Sequence, residues 1–321
     1  MILVIQGSLP HYRLDLFNSL CSIDDVTVAH SGKAMRRETD HFNEVILRKD
    51  VVGPFRIQHG LTSLIDKVNP HAIIAMFDIR WLSSVRAMYQ YDTHIPWVWW
   101  GLQSGKSAIA GYAKRLLARR SNPIIFYNWG TRDEFGKECL CTERLFVANN
   151  TVHVPQREKA YLSPLKNRFI NVGSLHSRKQ NDITIRAFAS VVHGLNNNAR
   201  LTLIGDGPER ENLRNLARSL GIGNQVQMLG EINDPNVLRQ YYLEAYASIS
   251  FGQAGLAVLQ SMAFGVPFVT KRNAISGGEK FNIVDGRNGY LCEDDPRDLE
   301  NIMRAFITDP RLSFELARSA Y

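Results

Sequence analysis

The sequence predicts an α/β protein built of two doubly wound domains in tandem. Short apolar runs alternate with amphipathic helical stretches along the whole chain. The alternation lapses once, over residues 152–167, and then resumes. Four runs in the second half end on a glycine, the usual mark of a strand turning towards a helix. Alternation of this kind implies largely parallel sheets with helices on both faces. With 321 residues, 45% of them hydrophobic, the chain has enough apolar surface for two cores.

In order, MILVIQG reads as a short buried strand. HYRLDLFNSLCSI carries Leu14, Leu16, Phe17 and Leu20 at helical spacing. VTVAH is a strand, LTSLIDKVNP a helix stopped by Pro70, and HAIIAMF and IPWVWW are buried strands. A basic helical stretch follows, then PIIFYN and RLFVANN. Residues 152–167 are polar and contain two prolines, so 156–167 is expected to be a linker between domains 1–155 and 168–321. The second domain then reads RFINVG, a helix through Ile185 to Val192, RLTLIG, a helix through Leu213 to Leu220, QVQMLG, AYASISF, a helix at 256–264, VPFVT and a last helix from Pro296.

The net charge of +7 and a pI near 9.3 favour an anionic partner, such as a nucleotide, a phosphorylated substrate or a membrane surface. Nucleic acid is not the expected partner. Cys21, Cys139, Cys141 and Cys292 form no C-x-x-C pair, which argues against a zinc site and fits a reducing compartment. The apolar start is short and lacks a basic leader, and no run approaches a membrane span, so a cytoplasmic location is expected.

Chemistry concentrates at the strand ends "NVGSLHSRKQ", "LIGDGPER", "MLGE" and "SFGQAGL". Glycine there lets a ligand approach the backbone, and a following helix start attracts anions. "GDGPER" lacks G-x-G-x-x-G because residue 210 is Arg, which counts against a dinucleotide-binding dehydrogenase.

These turns resemble the C-terminal domain of family 4 retaining glycosyltransferases of GT-B fold. The likeness runs from about Arg168 to Phe306 and includes G-x-L-x-x-x-K (Gly173, Leu175, Lys179), "LIGDGPE", "QVQMLGE", "MAFGVPFV" and "ISGGEKFNIVDGRNGYL". "PHYR" and "FVANNTV" extend it into the first half. The resemblance implies two Rossmann-like domains facing a central cleft, with acceptor bound by the first and nucleotide sugar by the second. It implies Lys179 as the cation facing the leaving diphosphate, with Ser174 where an Arg is common and Arg178 as its possible replacement. The alternative for Lys179 is a solvated lysine at a helix start.

The family's Glu-x7-Glu pattern falls on Gly252 and Gln260, so both carboxylates are absent. Gln260 can still donate to and accept from ribose hydroxyls, and Gln253 is placed to reach the sugar. Gly255 and Leu256 offer amides for diphosphate at the helix start. Gly173, Gly205 and Gly230 line the strand-end turns, and Glu279 lies in a Gly-rich turn beside them. Both glutamines are alternatively plain helix-mouth polar residues. In the first domain Gly7 would approach the donor phosphate, and His11 and Arg13 an acceptor phosphate. Asp78, with Arg80, is an acceptor-side candidate or an ion pair, and Gln103 stands near the place of a family histidine.

The stretch 107–121 places Lys114, Arg115, Arg119 and Arg120 beside apolar residues, as membrane-surface helices do. Such a face fits a peripheral protein at the inner side of a membrane. Family members continue with a C-terminal helix crossing back to the first domain, which is expected to be missing here. The expected activity is retaining transfer of a hexose-like sugar from a nucleotide sugar to a glycan or lipid-linked acceptor, in cell-envelope polysaccharide synthesis. It needs neither metal nor cofactor in this scheme. The alternatives are a catalytically weakened GT-B partner subunit that binds nucleotide or glycan, and a nucleotide-sugar epimerase of similar fold.

Overall fold

The computed structural model describes all residues except 102–107, 121, 139–141, 153–157, 196 and 321. The chain divides into two compact units, Met1–His153 and Val154–Tyr321. The first unit carries strands β1 (Ile2–Ile5), β2 (Val26–His30), β3 (Asn43–Ile46), β4 (Lys49–Val52), β5 (Phe55–Gln58), β6 (Ala72–Met76), β7 (Trp97–Trp100), β8 (Ile124–Phe126) and β9 (Leu145–Val147). Its helices are α1 (Leu14–Leu20), α2 (Leu61–Val68), α3 (Leu82–Tyr91), α4 (Ala108–Arg119) and α5 (Trp129–Glu138). The sheet runs β3-β2-β1-β6-β7-β8-β9, and its pairs are parallel.

The second unit carries β10 (Arg168–Val172), β11 (Arg200–Ile204), β12 (Val226–Gly230), β13 (Ala245–Ile249), β14 (Gln253–Ala254), β15 (Phe268–Lys271), β16 (Ile275–Ser276) and β17 (Gly289–Cys292). Its helices are α6 (Asn181–Leu195), α7 (Arg210–Ser219), α8 (Pro235–Leu243), α9 (Ala257–Ala263), α10 (Pro296–Thr308) and α11 (Pro310–Ala320). The main sheet runs β12-β11-β10-β13-β15-β17.

Successive strand residues point to opposite faces. In β1, Leu3 and Ile5 join one core and Val4 joins another with Phe17 and Val28. In β10, Phe169 and Ile170 are divided in the same way. Both faces are therefore buried, which is why these strands read as unbroken apolar runs. The strand order reverses between β10 and β13, so the carboxyl ends of those two strands border the switch point where such sheets hold ligands.

Some elements are not those expected. The β4/β5 hairpin is absent from the sequence reading because Val51 and Val52 are exposed and the strands lack an apolar face. The helix expected from Pro296 is two helices, interrupted at Asp309 before Pro310. Residues 158–167, expected as linker, pack into the second unit. The Glu158 amide donates to the Ala263 carbonyl at 3.1 Å and the Ala160 amide to that of Phe264 at 3.1 Å. The Tyr161 ring meets Phe314 of α11 edge-on at 5.8 Å.

Candidate active site

The floor is made of main chain. The Gly173 amide donates to the Ile204 carbonyl at 2.8 Å, Leu175 to Asp206 at 2.8 Å, and Gly205 to Gly230 at 2.7 Å. A Cβ at residue 205 would fall 2.0 Å from the Gly173 carbonyl oxygen, and its φ of +141° is itself glycine territory. The missing side chain of Gly205 lets the neighbouring turns stack, whereas Gly230 owes its glycine to a φ of +76° and a Cβ there would meet only the Arg210 side chain at 3.6 Å.

Lys179 ends a short 3₁₀ turn, Ser177–Lys179, above that floor. It is 7% exposed, not the solvated lysine of the alternative reading. Its Nζ lies 3.5 Å from the Gln253 carbonyl and 3.5 Å from where a Cβ on Gly173 would stand. Burial pushes its pKa down to about 8; Arg178 pushes the same way and Glu279 opposes. Lys179 has no salt bridge among the described residues. Arg178 is exposed and has neither hydrogen bond nor ion pair among them. Ser174 is exposed at the same turn.

The small parallel sheet of β14 and β16 sets Gln253 opposite Ile275. Glu279, buried, follows this sheet; its Oε2 accepts from the Gly277 amide at 3.0 Å and the Ser276 hydroxyl at 3.3 Å. Gln253 keeps its own Oε1 buried without a hydrogen-bond partner among the described residues. Its carbonyl accepts from the Ser250 hydroxyl at 2.7 Å. A Cβ on Gly255 would meet nothing within 4 Å, so the start of α9 stays open there, with Leu256 as N-cap. Gln260 faces a different neighbour. Its Oε1 accepts from the hydroxyl of Tyr242 at 3.4 Å, and Tyr242 is fully buried and stacked on Phe264 at 4.5 Å. Lys179, Gly173, Gln253 and Glu279 thus converge, whereas no described contact joins Gln260 to them.

Residues 155–321 match the family model of glycosyl transferases group 1. The chain belongs to this family of nucleotide-sugar-dependent glycosyltransferases. An uncharacterized glycosyltransferase of Haemophilus influenzae is 25% identical over 281 residues, covering 84% of this chain and 75% of that one. The lipopolysaccharide glucosyltransferase WaaG of Escherichia coli is 26% identical over 174 residues, 51% of this chain and 43% of WaaG. The crystal structure of Anabaena Alr3699/HepE in complex with UDP-glucose matches with a TM-score of 0.75 at 18% identity, over 99% of this chain and 93% of that one. That likeness shows the GT-B fold.

In the first unit of this glycosyltransferase, Arg13 is held at the carboxyl ends of β1, β7 and β8. It donates to the Gln6 side chain and, at 2.5 Å, to the Tyr127 hydroxyl. Its guanidinium lies 4.4 Å from the Trp100 ring centroid. Those bonds occupy two of its donors. His11 is exposed beside Tyr12. A Cβ on Gly7 would stand 2.6 Å from the Trp81 ring, so that glycine makes room for a tryptophan. Asp78 pairs with Arg80 at 2.6 Å. Burial works against the Asp78 charge, but the bonds from Arg80 outweigh it and hold the carboxyl below its usual range. Gln103 lies outside the described residues.

The basic face of α4 is not the one expected. Lys114 is buried, with its Nζ 4.7 Å from the Phe77 ring centroid and Asp78 in electrostatic reach. Arg120 donates to Asp92 at 2.8 Å. The Arg119 side chain lies outside the described residues. Among the described residues no helix is long and apolar enough to cross a membrane. The sequence reading missed Lys114, Tyr242 and Gln180. The first was assigned to the wrong face, and the other two carry no motif.

Proposed function

We propose that this glycosyltransferase is a retaining hexosyltransferase that binds a nucleoside-diphosphate sugar on its second unit. The observation that carries it is Lys179, a buried ammonium at the switch point with no carboxylate bonded to it among the described residues. A cation held out of water without an ion pair is poised for an anion, and a leaving diphosphate is such an anion. Arg178 supplies the second positive charge in place of the cation lost at Ser174. The amides of Gly255 and Leu256 at the start of α9 face the phosphates, Gln253 and Glu279 the sugar, and Gln260 the ribose. These roles assign the leaving-group charge to protein cations.

Retention requires the acceptor hydroxyl to attack on the face the diphosphate leaves. The bond from the anomeric carbon to the diphosphate oxygen breaks, the bond to the acceptor oxygen forms, and the acceptor proton passes to the departing phosphate. The first unit holds the acceptor, a glycan or lipid-linked sugar, with His11 and Asp78 as its candidates. HepE, solved with UDP-glucose, and WaaG, named for lipopolysaccharide, support a nucleotide-sugar donor and a cell-envelope acceptor. Tyr112 and Leu116, exposed on α4, support peripheral contact with an anionic membrane.

A second reading, a partner subunit that binds nucleotide without turnover, is favoured by Gly252, which has no side chain where the family has a glutamate. Thermal shift with UDP, GDP and ADP, followed by transfer from the matching sugar nucleotides, separates the two. A rise in melting temperature together with transfer supports the enzyme. A rise without transfer or hydrolysis supports the binding subunit. No shift at millimolar nucleotide refutes the donor site.

A further inference from the structure

Gln180 follows Lys179 and has φ 55° and ψ 41°, a left-handed backbone. Among the described non-glycine residues only Asn69 shares a positive φ. Asparagine tolerates this region, but a longer side chain occupies it at a cost. Something must offset that cost, and an outlier of this kind often marks a ligand contact.

The side chain of Gln180 goes to an unusual place. A Cβ on Gly252 would fall 2.8 Å from Gln180 Cγ and 2.9 Å from Gln180 Oε1, besides meeting the Arg178 carbonyl at 2.4 Å. The carboxamide therefore fills the volume that a side chain at 252 would need. Among the described residues Gln180 Oε1 is buried there with no hydrogen-bond partner, and so is Oε1 of Gln253, one residue beyond Gly252. Buried carbonyl oxygens are nearly always satisfied, so two such amides beside one glycine gain a bond when they turn towards a donor that the protein does not supply. Sugar hydroxyls are such donors. The backbone here is tied down, because the Gly252 amide donates to the Lys179 carbonyl at 3.0 Å and the Ile275 amide to that of Gly252 at 3.0 Å. The amide is thus presented from a fixed turn next to the Lys179 ammonium.

We infer that Gln180 is a sugar-selecting residue of this glycosyltransferase, its carboxamide seated in the volume that Gly252 vacates and turning to bond a hydroxyl of the transferred sugar. The inference rests on the proposed donor site in the second unit. Glycine at 252 and the polar side chain at 180 are placed so that the two do not collide.

The test compares bare nucleotide with nucleotide sugar, using UDP against UDP-glucose and GDP against GDP-mannose in titration calorimetry. Gln180→Gly removes the carboxamide and suits the left-handed backbone, so the fold is retained. Gln180→Glu keeps an acceptor oxygen. The expected result is unchanged UDP or GDP affinity in Gln180→Gly, while the carboxylate of Gln180→Glu, beside Lys179, lowers affinity for bare and sugar nucleotide alike and is read as the ratio of the two. Affinity for the sugar nucleotide should fall about three- to tenfold in Gln180→Gly, the loss of one hydrogen bond, and that ratio should be largely kept in Gln180→Glu. Wild-type sugar-nucleotide affinity in Gln180→Gly overturns the inference and leaves the donor site standing. Equal losses of nucleotide and sugar nucleotide in Gln180→Gly also overturn it, making Gln180 a structural plug. A wild-type protein that binds none of the four probes refutes the donor site itself.

Discussion

Replacing Lys179 by Met tests whether the buried ammonium is held for a ligand. Its pKa is lowered from 10.5 to about 8, with burial as the main cause. At about 1.4 kcal/mol per pH unit that depression corresponds to about 3 kcal/mol against the charged form. Below pH 8 the lysine is charged both folded and unfolded, and the whole cost is present. Between 8 and 10.5 the folded chain has lost the proton while the unfolded chain keeps it, so wild-type stability rises with pH. Above 10.5 the cost is gone. Met matches the length without the charge, and the bond it forfeits, 3.5 Å to the Gln253 carbonyl, is long. Lys179→Met should therefore be more stable at pH 7, by up to about 3 kcal/mol, and lose this advantage as pH climbs. Nucleoside-diphosphate affinity should fall about tenfold to a hundredfold, the size of a hydrogen bond to a charged group. Wild-type affinity should likewise weaken as pH rises past 8. Urea unfolding at pH 7, 8.5 and 10, with nucleotide titration at each, measures all of this. A variant less stable than wild type by the same margin at every pH would refute the reasoning, since the ammonium would then be fully balanced inside the protein. Undiminished nucleotide affinity would remove Lys179 from the site.

Gln260→Ala should lower stability by about 1 kcal/mol, because it leaves the Tyr242 hydroxyl buried without its acceptor; nucleotide affinity should fall tenfold or less, and Gln260→Glu should restore both, as melting curves and titrations would show. If α4 meets an anionic membrane, the protein should sediment with anionic vesicles at low salt, and replacing Tyr112 and Leu116, 57% and 41% exposed, by Ser should reduce this. Unchanged sedimentation would remove the membrane assignment, and reversing Lys114 would be uninformative because it is buried.

The main strands were legible because both of their faces are covered, which leaves apolar runs such as RLTLI and AYASI. The helix α8 carried a start signal, Asp234 before Pro235, with the aspartate accepting from the Asn236 amide, but its apolar residues are few. The exposed hairpin β4/β5 has no periodic signature at all. At the site, the position of Lys179 follows from its spacing after Gly173, whereas its burial does not. Burial depends on Gln253, Glu279 and Gly252, which β14 and β16 bring in from much later in the chain. Gln180 was illegible for the same reason, since what makes it unusual is a glycine 72 residues away, 252 minus 180. Lys114 was misassigned because helical spacing gives a face without saying which side that face packs against.

The turns stacked at Gly173, Gly205 and Gly230 bear on how such a protein diverges. A surface made of carbonyls and amides locked to one another offers substitution nothing to change. What it can hold is set once, by the sheet. The side chains at 180, 253 and 279 are carried beside it by separate segments outside the main sheet. A lineage with this arrangement can exchange side chains around the floor while the floor itself is inherited unaltered. Where one turn gives up volume, as at Gly252, the neighbouring one can take it, as Gln180 does.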